Sequence, residues 1–277
     1  MIIRQRIKTM IHRVPFLNKV AALMHHIVGQ STNEVITGGI PSEEDLMAFN
    51  REILPILKGS IDCKKKCPTI NLLFIGNSIS EHPIIDDMLP CRELRGMMAT
   101  IPEYDYIHQL CTMIAERNKM NVHWNVINVA EVFERDFMKV SFPKEIFNQL
   151  EIKDLDFVIF QLGENVSESA IYDSSIFEDA YMKLLSLFSY SIRLISIPFW
   201  PSKKKQYVMT QIAIKSNSYL VDLSHLGNGT DPENFAESQK KYKTPGVGVH
   251  PGNIGMKHIA ECYYAIINAI LSTKCNS

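Results

Sequence analysis

No stretch of this 277-residue sequence is apolar over the roughly 18 to 20 residues that a membrane-spanning helix requires. A secretory signal is also not expected, because the apolar run near the start, Val20 to Met24, is followed at once by His25 and His26. The six cysteines are few for this length, which is typical of a reducing compartment. We therefore expect an intracellular, cytoplasmic protein.

Neither sign of charge is in excess, since 29 Lys and Arg stand against 30 Asp and Glu. Without a global basic field, no nucleic-acid partner is expected. The first 33 residues nevertheless carry only positive charge; the basic residues before Glu34 are Arg4, Arg6, Lys8, Arg13 and Lys19. Apolar residues at helical spacing between these cations predict a basic helix that either packs on the domain, which we favour, or lies on a membrane surface. Residues 1–28 are therefore a candidate for weak peripheral contact with the inner face of a membrane.

From residue 70 onward, apolar runs that predict strands alternate with segments of helical periodicity. The predicted strands are Ile70–Ile75, Val122–Val129, Asp156–Leu162, Ile192–Phe199 and Tyr219–Leu223. The predicted helices are Tyr104–Lys119, Lys144–Leu150, Ser174–Tyr190, Gln206–Asn217 and Asn253–Leu271. This alternation predicts an α/β fold: a five-stranded, mainly parallel sheet covered on both faces, that is, a three-layer α/β/α sandwich.

The chain before this alternation is different in character. We interpret residues 1–68 as a basic helical extension and linker, and residues 69–277 as the α/β domain. Cys63 and Cys67 are separated by three lysines and have no nearby His or Cys pair that would complete four ligands, so a solvated linker is favoured over a metal site. No metal or organic cofactor is expected.

Three short blocks could carry chemistry. Ser78 closely follows the first predicted strand, where a serine presents its hydroxyl and its own N–H at a helix start. Gly163-Glu164-Asn165 follows another strand, and an Asn side chain can donate a hydrogen bond to an oxyanion. His250 lies in a loop before the last helix, within reach of the same edge of the sheet. Each block taken alone has a plain structural alternative, namely a helix N-cap, a turn and a surface histidine.

Together, the order and spacing of these blocks over residues 70 to 271 resemble the SGNH, or GDSL-type, hydrolase family, including bacterial carbohydrate esterases and polysaccharide-modifying proteins. The resemblance implies a flavodoxin-like sheet with Ser78 as nucleophile and His250 as base. It also implies an oxyanion hole formed by Ser78 N–H, Gly96 N–H and Asn165. In this family an Asp usually stands three residues before the His, and here that residue is Val247.

Two alternatives for orienting His250 therefore stay open. One is a Ser78–His250 dyad oriented by a backbone carbonyl, and the other is a carboxylate from elsewhere, such as Glu164, Asp222 or Glu81. The resemblance implies a serine-dependent acyl-ester hydrolase acting on a small-molecule or glycan ester, with an O-acetyl group on a carbohydrate as the expected substrate. The alternatives are an O-acyltransferase of polysaccharide biosynthesis and a non-catalytic carbohydrate-binding protein with the same fold.

Overall fold

The computed structural model describes residues 56–63, 66–135, 137, 154–172, 174–238, 240–244 and 246–274. The predicted basic helix with its membrane contact in residues 1–28, and the predicted helix over 144–150, lie outside the described residues. Within the described ranges, none of the helices is both long and apolar enough to span a membrane.

One sheet of six strands forms the centre of the described structure. The strands are β1 Leu57–Ile61, β2 Thr69–Gly76, β3 Asn121–Asn128, β4 Phe157–Phe160, β5 Ile192–Ile197 and β6 Tyr219–Asp222. Their spatial order is β1-β3-β2-β4-β5-β6. The last five of these are parallel to one another, and β1 pairs antiparallel with β3 at one edge.

Helices cover both faces of the sheet because successive residues of each buried strand point to opposite sides. The helices are α1 Tyr106–Asn118, α2 Ser174–Ser186, α3 Lys203–Ser216 and α4 Asn253–Lys274. Leu72 and Phe74 of β2 pack in one core with α1 and α4. Leu73 and Ile75 pack in the other core with α2 and α3. Shorter 3-10 turns are Asp86–Met88, Pro102–Tyr104, Ala170–Tyr172, Pro232–Asn234 and Ala236–Ser238, and Ala130–Glu134 is a π-helical turn.

Side-chain caps fix where two of these helices begin. The carboxylate of Asp105 accepts a hydrogen bond from the His108 N–H at the start of α1, and the Ser202 hydroxyl accepts one from the Lys205 N–H at the start of α3. Each cap satisfies a backbone donor that the helix leaves without a partner. The helix starts are therefore encoded locally.

The strand order places the candidate site. Counted without β1, the parallel strands follow the order 2-1-3-4-5, which is the flavodoxin-like arrangement. The predicted α/β/α sandwich with five parallel strands is therefore confirmed. The connection after β2 runs to β3 on one side and the connection after β4 runs to β5 on the other, so the crevice between the carboxyl ends of β2 and β4 is the switch point at which such sheets bind ligands. Ser78 directly follows the carboxyl end of β2.

A sixth strand, β1, differs from the prediction. It lies within the segment interpreted as helical extension and linker, so the sheet begins at Leu57 and not at residue 69. Five residues that include a glycine give little strand signal by themselves. The strand is specified by a distant residue: Gly59 lies directly opposite Trp124 of β3, and a Cβ on Gly59 would lie 2.1 Å from the indole ring. The bare backbone of Gly59 thus makes room for Trp124.

This packing predicts that Gly59→Ala destabilises the protein. The added methyl group must displace the Trp124 ring, and overpacking of this kind costs about 1–3 kcal/mol in the free energy of unfolding. Chemical denaturation monitored by tryptophan fluorescence measures the loss. Lys58→Ala, on the neighbouring exposed position of β1, is the matched control and should change stability by less than about 0.5 kcal/mol. Equal stabilities of the two variants would contradict the packing described here.

Candidate active site

Ser78 occupies a tight turn that follows β2. The carbonyl of Asn77 accepts hydrogen bonds from the Ser80 and Glu81 N–H groups, and the Asn77 side-chain oxygen accepts one from the Ile79 N–H at 3.1 Å. Asn77 therefore caps a single helical turn in which Ser78 is the first residue. Ser78 is only 1% exposed, so its hydroxyl is held inside the protein and not on its surface.

His250 lies beside Ser78 although the two residues are far apart in the sequence. Its Nε2 lies 3.4 Å from the Ser78 Oγ, across 172 positions in the sequence. Its Nδ1 lies 2.9 Å from the carbonyl oxygen of Gly246. Because a carbonyl only accepts hydrogen bonds, Nδ1 carries the proton and Nε2 presents a lone pair to the serine hydroxyl. This is the tautomer that a general base for Ser78 requires.

The surroundings of His250 keep it neutral. Its side chain is fully buried, and this burial lowers its pKa to about 3. The Trp200 ring packs edge to face against it with a centroid separation of 5.0 Å. The Trp200 indole N–H in turn donates to the Val249 carbonyl at 3.1 Å, which ties the ring to the loop that carries His250.

Two of the predicted oxyanion donors have the following surroundings. The Ser78 N–H donates no hydrogen bond to any residue that the structure describes. The Asn165 side chain follows β4, the strand that pairs with β2. Its Nδ2 donates to Glu134 Oε2 at 2.6 Å, which uses one of the two N–H groups of the amide.

The predicted oxyanion role of Gly96 does not fit this geometry. The Gly96 N–H is directed at the buried carboxylate of Asp105, with an N to Oδ2 distance of 3.4 Å. The neighbouring residue, Met97, donates its N–H to the Ser78 carbonyl at 2.8 Å. The segment therefore packs against the backbone of Ser78, but its glycine N–H is directed at Asp105.

None of the three carboxylates considered from the sequence orients His250. Glu164 accepts from Gln161 Nε2 at 2.7 Å and Asn77 Nδ2 at 2.8 Å, and Asp222 accepts from Ser224. The buried carboxyl of Glu81 has no hydrogen-bond partner among the described residues, and burial raises its pKa to about 8. The orienting group is the Gly246 carbonyl, so the predictions for Glu164 and Asp222 are wrong.

Glu134 is a site residue that sequence reasoning missed. It is the last residue of the π-helical turn Ala130–Glu134 and is buried beside Asn165. Burial and the neighbouring Glu164 raise its pKa to about 7. No motif singles out this position in the sequence. Only the structure shows the π-helical turn that carries it, a kind of turn that is frequent at functional sites.

Comparisons with known proteins give similarity in fold only. No protein-family model and no curated protein matches the chain. Among solved structures, an acetyl xylan esterase is similar over 72% of this chain and all of its own, with 16% identity and a TM-score of 0.46. A protein described as an SGNH hydrolase from Slackia heliotrinireducens is similar over 71% of this chain and 98% of its own, with 15% identity and a TM-score of 0.42.

A protein described as a GDSL-like lipase from Bacteroides ovatus is similar over 73% of this chain and 99% of its own, with 11% identity and a TM-score of 0.42. These identities and TM-scores are low. The chemistry of the site therefore rests on the residues of this chain alone.

The burial of His250 predicts an unusual titration, and its bond to Gly246 predicts which ring nitrogen carries the proton. Because burial lowers the pKa of His250 to about 3, the ring stays neutral at pH 5, where an ordinary histidine with a pKa near 6.5 is mostly charged. Nitrogen-15 NMR of the imidazole groups, assigned with His250→Gln, measures this. We expect a protonated Nδ1 and a bare Nε2 from pH 8 down to pH 5. A ring that titrates near 6.5, or that carries its proton on Nε2, would be incompatible with the site as described.

Gly246 predicts a second effect, because it adopts a positive φ of 77°. An alanine there strains the backbone by about 1–2 kcal/mol and moves the carbonyl that holds Nδ1. We expect Gly246→Ala to slow the labelling of Ser78 by a fluorophosphonate by about tenfold or more, since a misplaced base costs about that much. Gly229→Ala is the matched control, because Gly229 has a φ of 82° on an exposed loop. Equal labelling rates in the two variants would show that the Gly246 carbonyl is not needed.

Proposed function

We propose that this chain is a serine acyl-ester hydrolase of the SGNH type, with Ser78 as nucleophile and His250 as general base. The observation that carries the proposal is the 3.4 Å approach of His250 Nε2 to the Ser78 Oγ, with Nδ1 held by the Gly246 carbonyl. Distances between nucleophile and base are often loose before substrate binds, so 3.4 Å is compatible with catalysis. The plain alternatives, a helix cap for Ser78 and a surface loop for His250, do not account for two buried side chains meeting in this tautomer.

The reaction divides into two steps. The Ser78 Oγ attacks the ester carbonyl while its proton passes to His250 Nε2, and the Nδ1–H bond to Gly246 stabilises the resulting imidazolium. When the tetrahedral intermediate collapses, Nε2–H gives its proton to the departing alkoxide and the acyl group stays on Ser78. Water, deprotonated by His250, then attacks the acyl-enzyme and releases a carboxylic acid, and the proton returns to Ser78.

The oxyanion of both intermediates needs donors that are in place beforehand. We assign this role to the Ser78 N–H and to the Asn165 side chain. Gly96 shapes the turn beside Ser78, but in this assignment its N–H stays with Asp105.

A small acyl group on a carbohydrate is the proposed substrate. The near-complete burial of Ser78 and His250 favours an acetyl group, because a longer chain would have to displace packed side chains on both sides of the nucleophile. The carbohydrate part rests on the resemblance to carbohydrate esterases described above.

The same burial favours a second candidate, transfer of the acyl group to a sugar hydroxyl. A site that excludes water protects an acyl-enzyme from hydrolysis until an acceptor binds. The acceptor would then take the place of water in the second step, and Ser78, His250 and Asn165 would keep their roles.

A purely binding role is less well supported. A binding role would be favoured if Val247, in place of an Asp, left His250 without an orienting group, but the Gly246 carbonyl orients the ring.

Hydrolysis of 4-nitrophenyl acetate by the purified protein tests the proposal. We expect Ser78→Ala and His250→Ala each to lower kcat by about 10³-fold or more, with little change in KM, because they act as one unit. We also expect 4-nitrophenyl octanoate to be a much poorer substrate than the acetate. Ser224→Ala, on a serine that follows the edge strand β6, serves as the control, since β4 and β5 separate β6 from β2. An active Ser78→Ala variant would exclude the serine mechanism, and faster consumption of the acetate when sugars are added would favour transfer.

A further inference from the structure

Glu134 connects the parts of the candidate site that come from different strands. The turn that carries it follows β3, yet its carboxylate reaches the loop after β4 and the turn after β2. Glu134 Oε1 accepts from the Gly163 N–H at 2.5 Å and from Asn77 Nδ2 at 3.1 Å. Glu134 Oε2 accepts from Asn165 Nδ2 at 2.6 Å. One carboxylate thus joins the segments that hold the nucleophile and the amide donor.

The Asn165 amide is held at both ends by neighbouring residues. Glu134 binds its nitrogen, and Arg135 Nη2 donates to its oxygen at 3.4 Å. Arg135 is itself paired with Glu131 one turn earlier. An amide flanked by an acceptor on one side and a donor on the other has one favoured orientation, so the direction of its N–H groups is set by the π-helical turn.

The same contacts explain why residue 77 is an asparagine. Its Nδ2 donates to Glu134 at 3.1 Å and to Glu164 at 2.8 Å, so it lies between two buried carboxylates. An aspartate at this position would bring a third negative charge against the other two. An asparagine supplies the donor that both carboxylates need.

The folding stability of the protein does not by itself explain why the Glu134 carboxylate is buried here. Burying a carboxylate is costly even when it is hydrogen-bonded, and an uncharged replacement is often neutral or stabilising. The raised pKa of Glu134 reflects that cost. All three hydrogen bonds of Glu134 go to the turn that carries Ser78 or to the block that contains Asn165. A buried group that costs stability is expected where catalysis needs a precise geometry.

We propose that Glu134 is a positioning residue that fixes the Asn165 amide, and with it the Asn77–Ser78 turn, in the orientation that receives the oxyanion. This inference rests on the proposed function, because it assigns Glu134 an effect only through Asn165. It requires a carboxylate: a glutamine has one acceptor oxygen and an NH₂ group, and cannot accept from Asn77, Gly163 and Asn165 together.

A double-mutant cycle between Glu134→Gln and Asn165→Ala tests the proposal, with hydrolysis of 4-nitrophenyl acetate as the measurement. We expect Asn165→Ala to lower kcat by about 100-fold, the usual effect of removing an oxyanion donor. Glu134→Gln should lower kcat by about tenfold with KM nearly unchanged. In the Asn165→Ala background, Glu134→Gln should lower kcat by less than about twofold, because the group through which it acts is gone.

Glu178→Gln is the matched control. It makes the same chemical change at a carboxylate that pairs with Lys215 on the outside of the domain, and it should leave kcat unchanged in both backgrounds. A tenfold loss from Glu134→Gln that persists in the Asn165→Ala background would overturn the positioning role, and so would no loss in either background. If Glu134→Gln does not fold, Arg135→Gln, which removes the donor to the amide oxygen, is measured in the same cycle with the same criterion.

The failure of this inference is separable from failure of the proposed function. Ser78→Ala is measured beside the cycle; if it retains activity, the serine mechanism itself is overturned. If Ser78→Ala is inactive while the losses from Glu134→Gln and Asn165→Ala multiply, only the role of Glu134 is overturned. The side-chain amide signal of Asn165 in a nitrogen-15 spectrum gives a readout independent of activity. It should shift in Glu134→Gln and not in Glu178→Gln.

Discussion

The chemistry of His250 depends on one hydrogen bond, from its Nδ1 to the carbonyl oxygen of Gly246. A carbonyl cannot donate, so this bond fixes the proton on Nδ1 and leaves the lone pair of Nε2 facing Ser78. It does so without charge. A carboxylate in the same role would add a buried negative charge beside Val247, which packs in an apolar cluster with Met88, Met97, Met98 and Ala236. The uncharged orienter suits this interior, at the cost of weaker stabilisation of the imidazolium.

The carboxylates of the candidate site instead contact Asn77, the residue before the nucleophile. Glu134 and Glu164 both bind the Asn77 side chain, and they also accept from backbone N–H groups that follow β4 and β5. The orientation of the base and the orientation of the amide donor therefore depend on different groups. A neutral carbonyl sets the base, and a buried carboxylate sets the amide that would receive the oxyanion. Both are arranged near the switch point of the sheet, where the connections after β2 and β4 run to opposite sides.

Much of the fold could be predicted because its signals are local. The five parallel strands are short apolar runs, and α1 and α3 begin at capping residues that the sequence displays. The edge strand β1 could not be predicted, because its glycine makes sense only once Trp124 lies across it. Two positions that are far apart in the sequence, Gly59 and Trp124, therefore specify β1 together.

In the candidate site, too, some residues have local sequence signals and others depend on distant contacts. Ser78 and His250 follow recognisable turns, so their meeting could be expected from the order of the strands. The orienting group could not be identified among the alternatives, because a backbone carbonyl leaves no mark in the sequence. Glu134 was missed because its partners lie 29 to 57 residues away and on other strands. Likewise, the engagement of Gly96 by Asp105 depends on how the start of α1 packs against the turn after β2.

A crystal structure of the protein after reaction with a fluorophosphonate would test the central claim most directly. We expect phosphorus bonded to the Ser78 Oγ, with the phosphonyl oxygen about 2.7–3.1 Å from the Ser78 N and from Asn165 Nδ2. His250 Nδ1 should remain bonded to the Gly246 carbonyl. Phosphorus on another residue, or a phosphonyl oxygen that contacts neither donor, would contradict the assignment of this site.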